Sequence, residues 1–422
     1  MATDRPPPGR RALVLGAGIV GVSVALHLQQ RGWSVILADR KAPGRETSYG
    51  NAGLIESSAV LPHPFPRGLS TLLTLATNRS AALRYDPRVL PQIASWLLAY
   101  WRASRDGALA HIGPAFRTLI GAALAEHEAL MAQVGATGLL RREGWLELCR
   151  SPQQLDDADR EAALARSHGI TAERIEQDAL YALQPVLRPG LSGAIAWRDT
   201  GWIVDPGGLV EAYAALFTNR GGRILRADAL ALTGEAGGWQ IRSEREEVVV
   251  ADHAVVALGP WTGDLATRLG YRFPLAVKRG YHRHFAHNEG CRLTQPVYVR
   301  DEACLMVPMT RGVRLLSGVE LAARDAPPSP VQLQQIETSA RSMLPLGDPI
   351  EPAPWLGARP CLPDMLPVIG PAPRHPGLWF AFGHSHYGLT LGPVTGRMLA
   401  EMMSGETPFI SPQAYRAERF AA

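Results

Sequence analysis

The sequence predicts an α/β fold with two interleaved domains, and three observations carry that prediction. An apolar, strand-like run at 11–15 leads into Gly16-Ala17-Gly18-Ile19-Val20-Gly21 and a helical stretch, and a second strand-like run at 33–39 ends on Asp39. Strand-like and helix-like segments then alternate along the chain instead of separating into two blocks, as α/β folds require. The last third repeats the order strand (378–382), glycine-rich loop, helix (392–404). The first of these is a Rossmann-type βαβ unit of about 30 residues.

The remaining elements follow in order. Residues 61–140 read as mostly helical with proline-punctuated starts, and 89–101 (VLPQIASWLLAYW) form an apolar, aromatic helix. Such a helix is expected to be buried or partner-facing, with a resting place on a membrane surface as the alternative. Strands at 145–149 and 194–198 flank a charged helix at about 152–168. A helix at 207–219 leads to strands at 223–227, 239–243, 247–250 and 254–258. Strand-rich sequence returns at 275–285, 297–300, 304–308 and 313–319, before a helix at about 330–344.

Composition narrows the function classes. Of 43 basic side chains only Lys41 and Lys278 are lysine, against 39 acids, and the arginines are scattered. Without a run of five or six like charges, a nucleic-acid partner is not indicated. Cys149, Cys291, Cys304 and Cys361 are far apart, so neither a zinc site nor a disulfide framework is expected. Arg10-Arg11 before an apolar stretch imitates a signal peptide, but the glycine spacing within that stretch argues otherwise. No stretch is read as reaching the ~18 apolar residues of a membrane span. The expectation is a cytoplasmic protein, with peripheral association at the inner membrane left open.

Gly16-x-Gly18-x-x-Gly21 lies between strand and helix, where its glycines permit a tight turn, backbone approach to a pyrophosphate and close helix–strand packing. Asp39 stands where an acid binds ribose hydroxyls. Arg40 beside it leaves NADP open, and the motif alone does not separate NAD from FAD. Residues 44–53 (GRETSYGNAG) add Thr47, Ser48, Asn51, Ala52 and Gly53; VVALGPW at 255–261 adds Gly259 and Trp261. GHSHYGLTLGPVTG at 383–396 is a glycine-bracketed loop opening a helix. A helix N-terminus there would stabilise negative charge on a reduced flavin.

Together with RGYH at 279–282 and RPCLPDMLPVIG at 359–370, these stretches resemble the FAD-dependent D-amino acid dehydrogenase branch of the D-amino acid oxidase, glycine oxidase and sarcosine oxidase superfamily. RGYH, LPDMLPVIG and the Gly-His-Ser-His loop look closest to D-proline and hydroxy-D-proline dehydrogenases. The resemblance implies an FAD-binding domain from 9–60, 202–266 and 352–415, and a substrate domain from 61–201 and 267–351. It implies FAD held non-covalently by Gly16, Gly18, Ile19, Val20, Gly21, Asp39, Arg40, Thr47, Ser48, Asn51, Ala52, Gly53, Gly259, Trp261, Gly388, Leu389 and Thr390. Cys361 is out of register with the cysteine that tethers flavin in sarcosine oxidases.

Oxidising an α-amino acid by hydride transfer from Cα to flavin N5 needs a clamped carboxylate and a neutral amine. Arg359 is the expected clamp, since a planar guanidinium binds a carboxylate bidentately. Tyr281 is a candidate second donor, or a packing residue of its strand. His384 and His386 can contact substrate or flavin, or shuttle a proton near neutral pH. Tyr49 is expected to shape the pocket. His282 and His284 share a strand face, but no further ligand supports a metal. Related oxidases place a lysine over the flavin. The scarcity of lysine therefore tilts the expectation towards a dehydrogenase that passes electrons to a quinone or a partner subunit. A glycine- or sarcosine-type oxidase and an FAD-binding subunit are the alternatives.

Overall fold

The computed structural model describes residues 10–235, 237–288 and 292–420; Cys291 and the predicted domain start at residue 9 lie outside them. The strand Arg11–Leu15 is the centre of a six-stranded sheet. Ser34–Asp39 and then Arg223–Arg226 pair in parallel on one side of it. His253–Val256 and Leu378–Phe382 continue in parallel on the other, and Val368–Pro371 closes that edge antiparallel. Strands buried on both faces are unbroken apolar runs, which is why RALVL and HAVV carry no alternation. The helix Ile19–Gln29 covers one face, packed against Gly388–Met403 and Pro206–Asn219. Gly21 lets this helix close on the glycine loop: a Cβ there would fall 1.8 Å from the Gly16 carbonyl oxygen.

A second, ten-stranded mixed sheet runs from Leu83–Tyr85 through Val319–Leu321, Ala276–Phe285, Gly312–Leu316, Cys304–Met309 and Val297–Val299 to Trp145–Cys149, Gly193–Trp197 and Ala172–Glu176. Trp355–Cys361 pairs antiparallel with Ala276–Phe285, in register from Ala276 with Cys361 to His282 with Trp355. That strand therefore belongs to the second sheet, whereas the sequence put 352–361 in the nucleotide domain. The converse holds for Asp106–Val134, expected in the substrate domain. Its Phe116, Leu119, Ile120, Leu130 and Met131 join the core of the first helix layer.

This 29-residue helix is long and apolar enough, by length and composition, to cross a membrane, against the expectation that no such stretch exists. Its buried Glu126 pairs with Arg397 at 2.6 Å, and its apolar side chains pack on the core, as in a globular interior helix. The final helix begins at Gly388, one turn before the expected 392, with Pro393 in its first turns, where it disturbs few intrahelical bonds. In the helix Leu90–Ala103, Trp96 and Tyr100 face inward. The expected burial applies to that face only.

Candidate active site

A cavity of about 1760 Å³ runs between the two sheets. Pockets for single drug-sized ligands hold about 300–1,000 Å³, so this one has room for a dinucleotide and a second small molecule.

At one end lies the glycine loop. Gly16 has φ +104°, and a Cβ there would meet the Ala257 carbonyl oxygen at 2.4 Å, so only glycine lets the loop close on the next strand. The helix behind it begins at Gly18 with no side-chain cap and no acid in its first turn, leaving N–H groups for a phosphate. Ser48 Oγ accepts from the Ile19 amide at 3.0 Å. Asp39 lines the cavity, but its carboxylate also fixes the loop, accepting from Ala17 N at 2.6 Å and Lys41 N at 2.8 Å. Burial raises its pKa, and those two amides act against the rise. Arg40 is paired with Glu46 at 2.8 Å and lies 4.2 Å over the Trp261 ring, so its charge is already engaged rather than held ready for a 2′-phosphate. Val20, Thr47, Asn51, Ala52, Gly259, Gly388 and Leu389 line the same cavity. Gly21, Gly53 and Thr390 do not. Gly53 and Thr390 work behind the wall, Gly53 donating to Asn51 Oδ1 and Thr390 Oγ1 to the Leu54 carbonyl.

At the other end the second sheet supplies the wall. Lys278 and Arg359 are opposite each other in the ladder, as are Gly280 and Gly357. Opposed residues share a face, so both cations and both glycines face the cavity. Gly280 makes the room: a Cβ there would lie 2.6 Å from Arg359 Nη2. Arg359 opens only onto the cavity, and among the described residues no acid or other acceptor is bonded to its guanidinium. Burial lowers its pKa, with no carboxylate to offset the effect. Lys278 Nζ lies 4.1 Å from the Tyr100 ring centroid and 5.4 Å from that of Trp96. A lysine therefore does reach this site, and lysine scarcity no longer argues against an oxidase.

Three further expectations change. Tyr281 borders the cavity, but its side chain turns to the opposite face of its strand. Its hydroxyl donates to Glu320 at 2.8 Å and accepts from Arg279 Nη2 and Ser329 N, which leaves it nothing to offer a substrate. Tyr49 lies outside the main cavity, beside a smaller one of about 190 Å³, and its hydroxyl accepts from Arg311. His384 and His386 do line the main cavity, but burial pushes His384 down to about 3 and His386 well below the ordinary range. Neither exchanges a proton near neutral pH. His384 Nε2 pairs with Thr395 Oγ1 at 2.9 Å, while the His386 ring packs against Tyr387 and His63, its Nε2 unpartnered. Between them Ser385 adopts φ 54°, a strained left-handed conformation of the kind that clusters at functional sites.

His282 and His284 hold no metal-ligand geometry. His282 stacks on Trp355 at 4.9 Å, and His284 bridges Glu351 and Arg314. No group of three candidate metal ligands occurs among the described residues.

The sequence assigned no site role to three contributors. Arg314, buried in an apolar strand, donates to the carbonyls of Tyr49 and Asn51 and so holds the flavin-side loop. His63 packs 4.9 Å from His386. Glu56 lines the cavity, its carboxylate without a hydrogen-bond or ion-pair partner among the described residues, and burial alone raises that carboxyl to about 7. The available signal was its isolation, since it is the only acid between Glu46 and Asp86.

Beyond the clamp the cavity floor crosses the sheet through Leu316, Leu305 and Tyr298 to Glu147, one residue per strand. At about 4.8 Å per strand this row ends roughly 24 Å, five strands, from the strand that carries Arg359. It ends beside the stacked Trp145 and Trp197, 5.7 Å apart. Arg300 is held there between Glu147 and Glu161.

The fingerprint loop, the polar loop at 47–53 and the helix start at 388 thus converge on one cavity. A family model for FAD-dependent oxidoreductases (DAO) matches residues 11–402. The chain belongs to the DAO family of FAD-dependent oxidoreductases. It is 30% identical over 427 residues to a D-amino-acid oxidase of Bradyrhizobium diazoefficiens, covering 98% of this chain and 100% of the relative. It is also 30% identical to a D-amino acid dehydrogenase of Cereibacter sphaeroides, covering 98% and 96%. The crystal structure of glycine oxidase from Geobacillus kaustophilus superposes with a TM-score of 0.72 at 20% identity, covering 98% and 100%. The cofactor of this DAO-family chain is FAD, and the fold is the D-amino acid oxidase-like one that the motifs implied.

Proposed function

We propose that this DAO-family chain oxidises the Cα–N bond of a D-amino or cyclic D-imino acid, with a D-proline or hydroxy-D-proline type substrate as the narrower reading. The observation that carries it is Arg359, a half-buried guanidinium between the sheets that faces the cavity without an anion. Burying a charge unpaired is costly, and a carboxylate-bearing ligand relieves that cost with two charge-assisted bonds. Lys278, beside Arg359 in the ladder, adds a second positive charge on the same face. The D configuration is carried over from the two relatives, and the cyclic substrate from the resemblance of the RGYH, LPDMLPVIG and Gly-His-Ser-His stretches.

Bound FAD supplies the two-electron acceptor. The chain's part is to hold the carboxylate on Arg359 and to keep His384 and His386 neutral around the reacting carbon. Glu56 is the cavity's unpaired acid, available to a substrate cation or its proton. The imine product is hydrolysed by water or remains cyclic. We take FAD to be held without a covalent bond, since Cys361, although it borders the cavity, is out of register with the cysteine that tethers flavin in sarcosine oxidases. Acid precipitation should therefore leave the flavin in the supernatant.

The deciding experiment is anaerobic addition of D-proline, hydroxy-D-proline and panels of D-, L- and N-methyl amino acids to the flavoprotein. Bleaching of the flavin absorbance by D-substrates is expected; if no compound bleaches it, the proposal fails. We take the acceptor to be a quinone or a partner subunit. A second reading, direct reoxidation by oxygen, is favoured by Lys278 in the cavity. Oxygen consumption compared with dye reduction separates the two.

A further inference from the structure

The segment at the cavity rim has the make-up of a lipid-binding surface. The helix Leu69–Ala76 has no buried residue. Gly68, Thr71 and Leu75, spaced three and four apart on one side, line the cavity. Gly68 and Thr71 are also exposed to solvent, so this helix stands at the rim. The other side carries Leu69 and Leu73, which are 79% and 72% exposed, one turn apart, with half-exposed Leu72 beside them. Leu98 of the neighbouring helix is 46% exposed. The remaining large exposed apolar residues are scattered along the chain, as is usual for single surface residues.

Charge supplies the independent observation. Residues 61–105 contain six arginines, no lysine and one acid, Asp86, with the next acid at Asp106. In the whole chain, 43 basic residues face 39 acids, so the rest of the molecule is close to neutral and the excess sits here. Arg67 and Arg105 lie 4.7 and 4.8 Å over the Trp101 ring, grouping cations around a half-exposed aromatic. Exposed leucines on a short helix, preceded by Arg67 stacked on Trp101 within an arginine-rich stretch, match an anionic bilayer surface: the apolar side chains enter the acyl boundary and the guanidinium groups meet lipid phosphates.

We propose that the Leu69–Ala76 helix, with the arginines of residues 61–105, docks the protein on an anionic membrane surface, with the cavity rim turned towards the lipid. This surface brings the cavity within reach of an acceptor dissolved in the bilayer. The docking itself does not depend on the substrate or acceptor proposed above.

The test is co-sedimentation of the full-length flavoprotein with vesicles of phosphatidylglycerol and phosphatidylcholine, compared with phosphatidylcholine alone. Binding at least about tenfold stronger to the anionic vesicles is expected, falling as salt rises. A Leu69→Ser/Leu73→Ser variant should lose about tenfold or more of that binding. Its flavin content and activity with a soluble dye should be unchanged, because neither leucine lines the cavity or packs in the core. Equal binding to both vesicle types, or variant binding equal to that of the parent, overturns the proposal. So does a dimer, seen by sedimentation velocity, that the double substitution dissociates, since the leucines would then cover one another between two copies.

Discussion

Around the glycine loop, the polar groups that face the cavity are already engaged: Asp39 by two backbone amides, Arg40 by Glu46 and Trp261, Ser48 by the Ile19 amide. At the other end, the Arg359 guanidinium and the Glu56 carboxylate face the same cavity with no hydrogen-bond or ion-pair partner among the described residues. The nucleotide half is a finished mould made of backbone, and its specificity comes from where the chain is allowed to approach. The substrate half holds back two side-chain charges of opposite sign for the ligand. A ligand with an anionic carboxylate and a cationic nitrogen complements that pair.

The widest contrast is expected from Arg359→Ala. Losing two charge-assisted hydrogen bonds should lower kcat/KM by about three orders of magnitude, mostly through KM. Flavin content should hold, and an unchanged KM would remove Arg359 from the clamp. Tyr281→Phe, on the far side of the same strand, should leave KM alone, and a comparable rise would reverse the reading of that strand. On the nucleotide side, Gly16→Ala forces a Cβ against the Ala257 carbonyl in a left-handed conformation, at about 3 kcal/mol. FAD affinity should fall about a hundredfold, as read by flavin retention on gel filtration.

Glu56→Gln tests the unpaired acid through stability. The carboxyl is raised to about 7 from its ordinary 4.5, so the folded apoprotein binds more protons than the unfolded chain between those values and loses stability as pH rises through them. The amide should therefore raise the melting temperature at pH 8 by a few degrees and leave it unchanged at pH 4. A gain equal at both pH values would mean that packing, not ionisation, is responsible. The smallest effect concerns the histidines. With His384 held to about 3, His384→Asn should add or remove no inflection between pH 6 and 8 in the kcat profile, whatever it does to the rate.

The same division explains what could be read in advance. The glycine loop, Asp39, Thr47 and Ser48 were legible because backbone geometry restricts residue type over a short, contiguous stretch. The place of Arg359 on the cavity wall was legible through its motif. For Tyr281 the sequence left a second donor and a packing residue side by side, and strand alternation decides between them: in RGYH, Gly280 and His282 face one way while Arg279 and Tyr281 face the other, and the motif does not say which side is the cavity. Glu56, Lys278 and His63 come from three segments whose meeting depends on the sheet ladder and the rim helices, so no local pattern joins them. The domain borders failed for a related reason. Trp355–Cys361 follows its pairing partner Ala276–Phe285 into the second sheet, and a linear boundary cannot express that.

That pairing also fixes the direction of the clamp by counting. Arg359 faces the cavity because seven successive residues from Trp355 to Cys361 are matched against His282 to Ala276. Sliding the strand by one position would keep many of the hydrogen bonds but turn every side chain over, sending Arg359 into the core and Ala358 or Pro360 into the substrate's place. A single-residue insertion between Glu351 and Trp355, far from any reacting atom, could thus yield a folded yellow protein that no longer holds a carboxylate.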